Sequence, residues 1–232
     1  MNQIKMAQEI IKILMTDDHP MIIEGYQNTL LATKKESQKL IIDIATNCDE
    51  SLELINKSIS LGEHYTVCFF DISMPPSSDG EFKSGEDLAL YVRKKTRRTK
   101  IVMLTMFDES YRIHSIINNI DPEGFLIKSD ITSRELASAF QAVLHNPPFY
   151  SGTVNQIIKR TRFSNLEVDE VNHHILYLIS KSMKNKDIAK ELNLSLSSIE
   201  KKKKLLKEIF KVEEGDEKTL IEKAKGYGFL NN

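Results

Sequence analysis

Tyr65-Thr66-Val67-Cys68-Phe69-Phe70-Asp71-Ile72-Ser73-Met74-Pro75 is the stretch on which the fold turns. Its first part, Tyr65–Phe70, is a bulky run about as long as a buried strand, and it leads straight into an acidic residue. The same pattern recurs on either side. Ile11–Met15 and Leu40–Ala45 precede it, and Lys100–Met106 and Gly124–Lys128 follow. Between the runs, apolar residues fall three and four apart, as at Leu52, Ile55 and Ile59 or at Leu88 and Tyr91. Strict alternation of strand and helix predicts an α/β fold over residues 10–145: a doubly wound, five-stranded parallel sheet covered on both faces. In that architecture reactive groups collect at the carboxyl ends of the strands.

Composition narrows the rest. The chain has 232 residues, 41% of them hydrophobic, and a formal net charge of -1, enough apolar content for a core and room for two small domains. No apolar run exceeds five residues. A bilayer-spanning helix needs about 20, so no membrane span is expected. The N-terminus lacks the pattern of a signal peptide. Cys48 and Cys68, the two cysteines, both lie in apolar segments. That argues against a disulfide scaffold and for a reducing, cytoplasmic setting.

Past residue 145 the pattern changes. Asn146-Pro147-Pro148 ends the last helix of the α/β region, because proline cannot continue one. From Val154 onward only helical periodicity is visible, with helices expected at about 153–161, 168–181, 185–192, 196–210 and 216–226. The expected organisation is an α/β domain at 10–145, a linker at 146–164 and a small all-α domain at 165–232.

The strand ends carry the chemistry. The first predicted strand leads into Asp17-Asp18, the third into Asp71, the fourth ends at Thr105 and the fifth at Lys128. A parallel sheet brings these to one edge. Carboxylates gathered there repel one another, and a divalent cation relieves that cost; hard oxygen donors suit Mg²⁺. Carboxylates, a hydroxyl, an ammonium and a hard metal suit a phosphoryl group, with one carboxylate as nucleophile. His19 is not read as a metal ligand, because no second His or Cys has matching spacing.

These residues resemble the receiver domain of two-component response regulators, a flavodoxin-like fold. The matching strings are Asp17-Asp18, Asp71-Ile72-Ser73-Met74-Pro75, Leu104-Thr105 and Gly124-Phe125-Leu126-Ile127-Lys128. The resemblance implies that Asp71 accepts a phosphoryl group from a histidine kinase. It implies that Asp17 or Asp18, Asp71 and the Ser73 carbonyl hold Mg²⁺, that Lys128 and Thr105 bind the phosphoryl group, and that Phe125 is the aromatic switch. Two features depart from it. The loop Pro75–Ser84 is longer than usual, and Met106 stands where a small side chain is common. At that position Met106 is expected to crowd water away from phosphorylated Asp71.

The helical half carries a concentrated charge. Lys181–Lys211 holds ten Lys against four acidic residues, whereas 165–232 as a whole holds 13 Lys against 12 Asp and Glu. Such a local excess suits a nucleic-acid surface. At 100° per residue, Leu206, Ile209 and Phe210 share the side of Ile199; Ser197, Lys201 and Lys204 point away, and Lys202 and Lys203 flank the stripe. Asn193-Leu194-Ser195 reads as a tight turn, with Ser195 the N-cap of the lysine-bearing helix. Two short helices joined in this way, the second basic outward, describe a helix-turn-helix.

This half resembles the LuxR-type helix-turn-helix of NarL/FixJ regulators, through Ile175–Ile179, Asn185–Ala189, Leu192–Ser195, Ser198-Ile199-Glu200 and Ala224–Leu230. The resemblance makes Leu196–Phe210 the recognition helix. It turns Ser195, Ser197, Glu200, Lys201, Lys202 and Lys204 toward double-stranded DNA, and it implies a homodimer paired through the last helix. Lys184 stands where Ser or Thr usually caps the first motif helix, and Lys202 where His is common. His173-His174 reads as a pair of helix-surface residues without metal.

The function expected from the whole is a phosphorylation-switched transcription factor rather than an enzyme, with a histidine kinase, double-stranded DNA and a second copy as partners and no membrane. Two other readings use the same residues. A constitutive DNA-binding factor would keep the receiver only as a dimer interface. A Mg²⁺-dependent aspartyl-phosphate hydrolase would leave the helix-turn-helix unexplained.

Overall fold

A computed structural model describes residues 8–162, 166–213 and 217–231. The expected boundary between residues 164 and 165, and the expected helix start at 216, lie outside the described residues. In chain order the first elements are β1 (Glu9–Thr16), α1 (Pro20–Thr33), β2 (Gln38–Ala45), α2 (Cys48–Ser60), β3 (Val67–Asp71) and α3 (Gly85–Lys95). Then come β4 (Lys100–Thr105), α4 (Ser110–Ile120), β5 (Gly124–Ile127), α5 (Ser133–His145) and β6 (Phe149–Tyr150). The remainder is helical: α6 (Gly152–Arg162), α7 (Glu170–Ser180), α8 (Asn185–Glu191), α9 (Leu196–Ile209) and α10 (Glu217–Gly226).

The strands form one parallel sheet in the order β2-β1-β3-β4-β5-β6. The sequence predicts five strands, and the sixth is a correction. It is two residues long, held by Phe149 N–H to the Glu123 carbonyl and Ser151 N–H to the Phe125 carbonyl, both 2.9 Å. So short a strand has no periodicity to read, and it follows immediately on the prolines that end α5 in the sequence.

The chain divides into two units. The first takes the residues up to Phe107 together with Asn119–Gly152; the second takes Asp108–Asn118 with the residues from Thr153 on. In the first unit alternate strand residues point to opposite faces. Ile11, Ile13, Met15, Val67, Phe69, Val102, Leu104 and Leu126 build a core with Leu136, Ala139, Phe140 and Val143 of α5 and Ile23 and Leu30 of α1. On the other face Leu14, Cys68, Phe70 and Ile101 are buried, as are Ile55 of α2 and Leu88 and Val92 of α3. Helix starts are fixed locally. Asn47 caps α2 through the Glu50 N–H at 2.9 Å, and Thr132 with Glu135 makes a capping box on α5.

The second unit packs α7 to α10 around Ile175, Leu176, Ile179, Ile188, Ile199, Leu206, Phe210, Leu220 and Phe229. Asp169 caps α7 through the Asn172 N–H at 2.7 Å. Between α8 and α9 the chain turns through Asn193 at φ +51°, a left-handed conformation that asparagine tolerates. Ser195 then caps α9 by accepting from the Ser198 N–H at 3.1 Å, as its position in the sequence predicts. Lys184 precedes α8 without a side-chain cap bond. Cys48 and Cys68 are both free and buried. No helix among the described residues is long and apolar enough to cross a membrane.

Candidate functional site

Strand register assembles the site. Thr16 of β1 lies opposite Phe70 of β3, Asp71 opposite Leu104 of β4, and Thr105 opposite Ile127 of β5. Asp17, Asp71, Thr105 and Lys128 therefore leave four adjacent strands within one residue of a common line. All four are there because an apolar run ends where a polar residue begins.

The side chains close the arrangement. Lys128 Nζ lies 2.6 Å from Asp17 Oδ2 and 3.1 Å from Asp71 Oδ2, with its side chain only 4% exposed. Asp17 and Asp71 are buried as deeply, while Asp18 is partly open to solvent. Burial raises the Asp71 carboxyl above its ordinary value, Lys128 pulls it back, and the neighbouring Asp17 raises it again. Asp71 Oδ1 is buried with no hydrogen-bond partner among the described residues. An unsatisfied buried carboxylate oxygen costs free energy unless something fills the gap.

Asp17, Asp18, His19 and Asp71 each present a donor atom, all within 4.8 Å of one another. Three hard carboxylates and an orphaned buried oxygen fit Mg²⁺. His19, which the spacing argument set aside, enters the same cluster: its ring Nδ1 is 2.6 Å from Asp18 Oδ1, and its backbone N–H donates to Asp17 Oδ1 at 3.0 Å. The signal for it is plain adjacency to Asp17-Asp18. Tyr26 of α1 carries no such signal in the sequence. Its phenol is pushed up by burial and then by the charges of Asp17 and Asp71.

The remaining expected residues are placed as follows. Thr105 is buried, and its hydroxyl accepts from the Phe107 N–H at 2.9 Å. The Phe125 ring is fully buried. Ser73 is exposed in the loop after Asp71. Met106, after the end of β4, is 64% exposed.

The backbone beside Asp71 is held by Gly85. A Cβ on Gly85 would fall 1.9 Å from the Asp71 carbonyl oxygen, so only glycine lets α3 start this close to β3. The long loop between them is folded. Ser77 N–H donates to the Phe82 carbonyl at 2.7 Å, and Gly80 turns at φ +72°. Phe82 meets Tyr91 edge-on, and Asp49 at the start of α2 accepts from the Ser78 N–H at 3.0 Å.

In the helical unit Ser195, Ser197, Glu200, Lys201 and Lys204 are exposed. Lys202 is partly covered, 3.3 Å from Asn172 Oδ1 and 3.7 Å from Asp169 Oδ2. His173 corrects the expectation of a surface pair. It is buried, with Nε2 2.6 Å from the Phe229 carbonyl, and burial lowers its pKa to about 4. A neutral imidazole donating to that carbonyl accounts for both.

A scan against protein-family models finds no match. Among curated proteins the chain is 25% identical over 197 residues to the transcriptional regulatory protein RcsB of Salmonella typhi, covering 84% of this chain and 85% of that protein. It is also 25% identical over 205 residues to the oxygen regulatory protein NreC of Staphylococcus epidermidis, covering 82% and 86%. Among solved structures, one of two RcsB dimers bound to two parallel DNAs matches with a TM-score of 0.61 at 22% identity, over 94% of this chain and 99% of that one. RcsB from Salmonella enterica serovar Typhimurium, bound to a promoter with phosphomimetic BeF3-, matches with a TM-score of 0.58 at 22% identity, over 93% and 98%. The strand-end site, the sheet order and the turn between α8 and α9 agree with this likeness: the chain is a homologue of the RcsB and NreC response regulators, with their architecture of a receiver followed by a LuxR-type helix-turn-helix.

Proposed function

We propose that the chain is a DNA-binding response regulator whose receiver spans residues 10–145, with a linker at 146–164 and a helix-turn-helix domain at 165–232. Asp71 is its phosphoacceptor and a histidine kinase its donor. The observation that carries this reading is the Lys128 ammonium lying 2.6 Å from Asp17 and 3.1 Å from Asp71, beside an Asp71 oxygen that has no partner among the described residues.

The chemistry follows from those atoms. A carboxylate oxygen of Asp71 attacks the phosphorus of a phosphohistidine; the O–P bond forms as the P–N bond breaks, and the departing imidazole takes a proton from solvent. Lys128 turns from carboxylate to phosphoryl oxygen, and the Thr105 hydroxyl donates a hydrogen bond to another. Asp17, Asp18, Asp71 and the Ser73 carbonyl would hold Mg²⁺, and the ion would supply positive charge against the phosphoryl oxygens. The acyl phosphate carries up to about two negative charges where the Asp71 carboxylate carried one, and Thr105 and Phe125 re-pack around the added charge and oxygens.

The output is duplex recognition. Lys201, Lys202 and Lys204 supply ammonium groups for phosphates or guanine edges, Glu200 can accept from cytosine N4, and Ser195 and Ser197 donate hydroxyls. RcsB has been solved as dimers on DNA. By the same architecture two copies of this chain read two half-sites, and phosphorylation raises that affinity.

The test is a small-molecule phosphodonor with Mg²⁺, applied to the full chain and to Asp71→Asn. Wild type takes up close to one phosphate per chain and the variant none. Equal uptake by both would refute the assignment.

A further inference from the structure

Lys203 lies in the middle of the tract Lys201–Lys204, where charge alone would assign it to the duplex, yet it is buried, 8% exposed. Its ammonium donates to Asn185 Oδ1 at 2.7 Å and forms an ion pair with Glu217. Asn185 is the first residue of α8 and Glu217 the first residue of α10. One side chain of α9 thus ties together the openings of two other helices.

We propose that Lys203 is a positioning residue for duplex recognition: it fixes the rotation of α9 about its own axis through Asn185 and Glu217, and does not touch DNA. This rests on the DNA-binding reading above. The apolar side of α9, built from Ile199, Leu206 and Phe210, holds the helix against its neighbours. Apolar burial is non-directional, so it does not by itself single out one hydrogen-bonding geometry at the helix surface. A helix is about 10–12 Å across, so a rotation of about 20° moves a surface side chain by about 2 Å. That is enough to break a base contact, because hydrogen bonds weaken steeply outside a narrow geometry. A charge-assisted bond on one side and a neutral one on the other supply the missing direction.

Two surrounding features agree. Lys184 makes no side-chain cap on α8, and Lys203 reaches that helix at its first residue, Asn185. Glu217 opens α10, where a carboxylate is favoured by the helix dipole, so it is available to the ammonium at little cost. Lys201 and Lys204 are exposed and make the opposite use of the same side chain.

The experiment measures affinity of the full chain for two duplexes: the one that wild type enriches from a random library, and a scrambled duplex of equal composition. Lys203→Met should weaken binding to the enriched duplex about tenfold. Binding to the scrambled duplex, and the slope of affinity against salt, should stay within about twofold, because no phosphate contact is lost. Lys203→Arg, which can still pair with Glu217, should restore most of the loss. Glu217→Gln, on a half-exposed residue, should show the same selective loss at about threefold and serves if Lys203→Met does not fold. Equal loss on both duplexes with a salt slope lower by about one would make Lys203 a phosphate contact and overturn the proposal. Unchanged binding to both would overturn it as well. A wild-type chain that enriches no duplex would sink the DNA-binding reading itself and this inference with it, and is recognisable because the variants play no part in it.

Discussion

Lys128 and Lys203 are both buried lysines in ion pairs, one at the strand ends and one among the helices of the second unit. They differ in what they leave unfinished. Lys128 faces two carboxylates as buried as itself, with Asp71 Oδ1 left unpartnered. Lys203 faces one amide and one carboxylate, and that carboxylate is half open to solvent. A buried ammonium between excess negative charges with an oxygen to spare is a site waiting for a ligand. A buried ammonium whose partners match it, with water on the far side, is a joint. The same residue type serves chemistry in one place and geometry in the other, and unsatisfied polar atoms tell the two apart.

The largest expected effect sharpens that contrast. Lys128→Met leaves two buried carboxylates facing each other and should cost about 3–5 kcal/mol in chemical denaturation without metal. Millimolar Mg²⁺ should return part of it, because the ion binds only the folded site. Lys203→Met should cost no more than about 1 kcal/mol and be blind to Mg²⁺, because Glu217 can turn to water. Equal losses in the two variants would erase the distinction between site and joint.

A smaller effect tests the helical unit through its buried His173, whose pKa is lowered to about 4 in the folded state against an ordinary 6.5. The unfolded chain therefore binds a proton below pH 6.5 that the folded chain refuses until about pH 4. The stability this group contributes is whole above pH 6.5 and declines as pH falls through that window, by ~3 kcal/mol in total. Comparing the denaturation free energy of wild type and His173→Gln at pH 7 and pH 5 isolates it: the gap between the two should narrow on acidification. A gap that is constant with pH would mean that His173 is not held neutral.

Legibility in the sequence followed the range of the interactions. Asp17, Asp71, Thr105 and Lys128 could be read because each closes an apolar run and a parallel sheet does the rest. The six-strand count could not, because Phe149–Tyr150 is too short to show a period. Periodicity put Lys202 and Lys203 alike beside the apolar stripe, but it could not see Asn185 and Glu217, which decide that Lys203 is buried. His173 escaped for the same reason: its partner is a backbone carbonyl 56 residues further on, a contact that carries no side-chain signature. The turn Asn193-Leu194-Ser195 was fully legible, because its chemistry is local.

The most direct test of the central claim couples the two units in one measurement: affinity of the full chain for its enriched duplex, before and after treatment with a small-molecule phosphodonor and Mg²⁺. A rise of about tenfold or more, equivalent to ~1.4 kcal/mol, is expected for wild type, and no change for Asp71→Asn. A wild-type chain that takes up phosphate on Asp71 and binds the duplex no more tightly would contradict it.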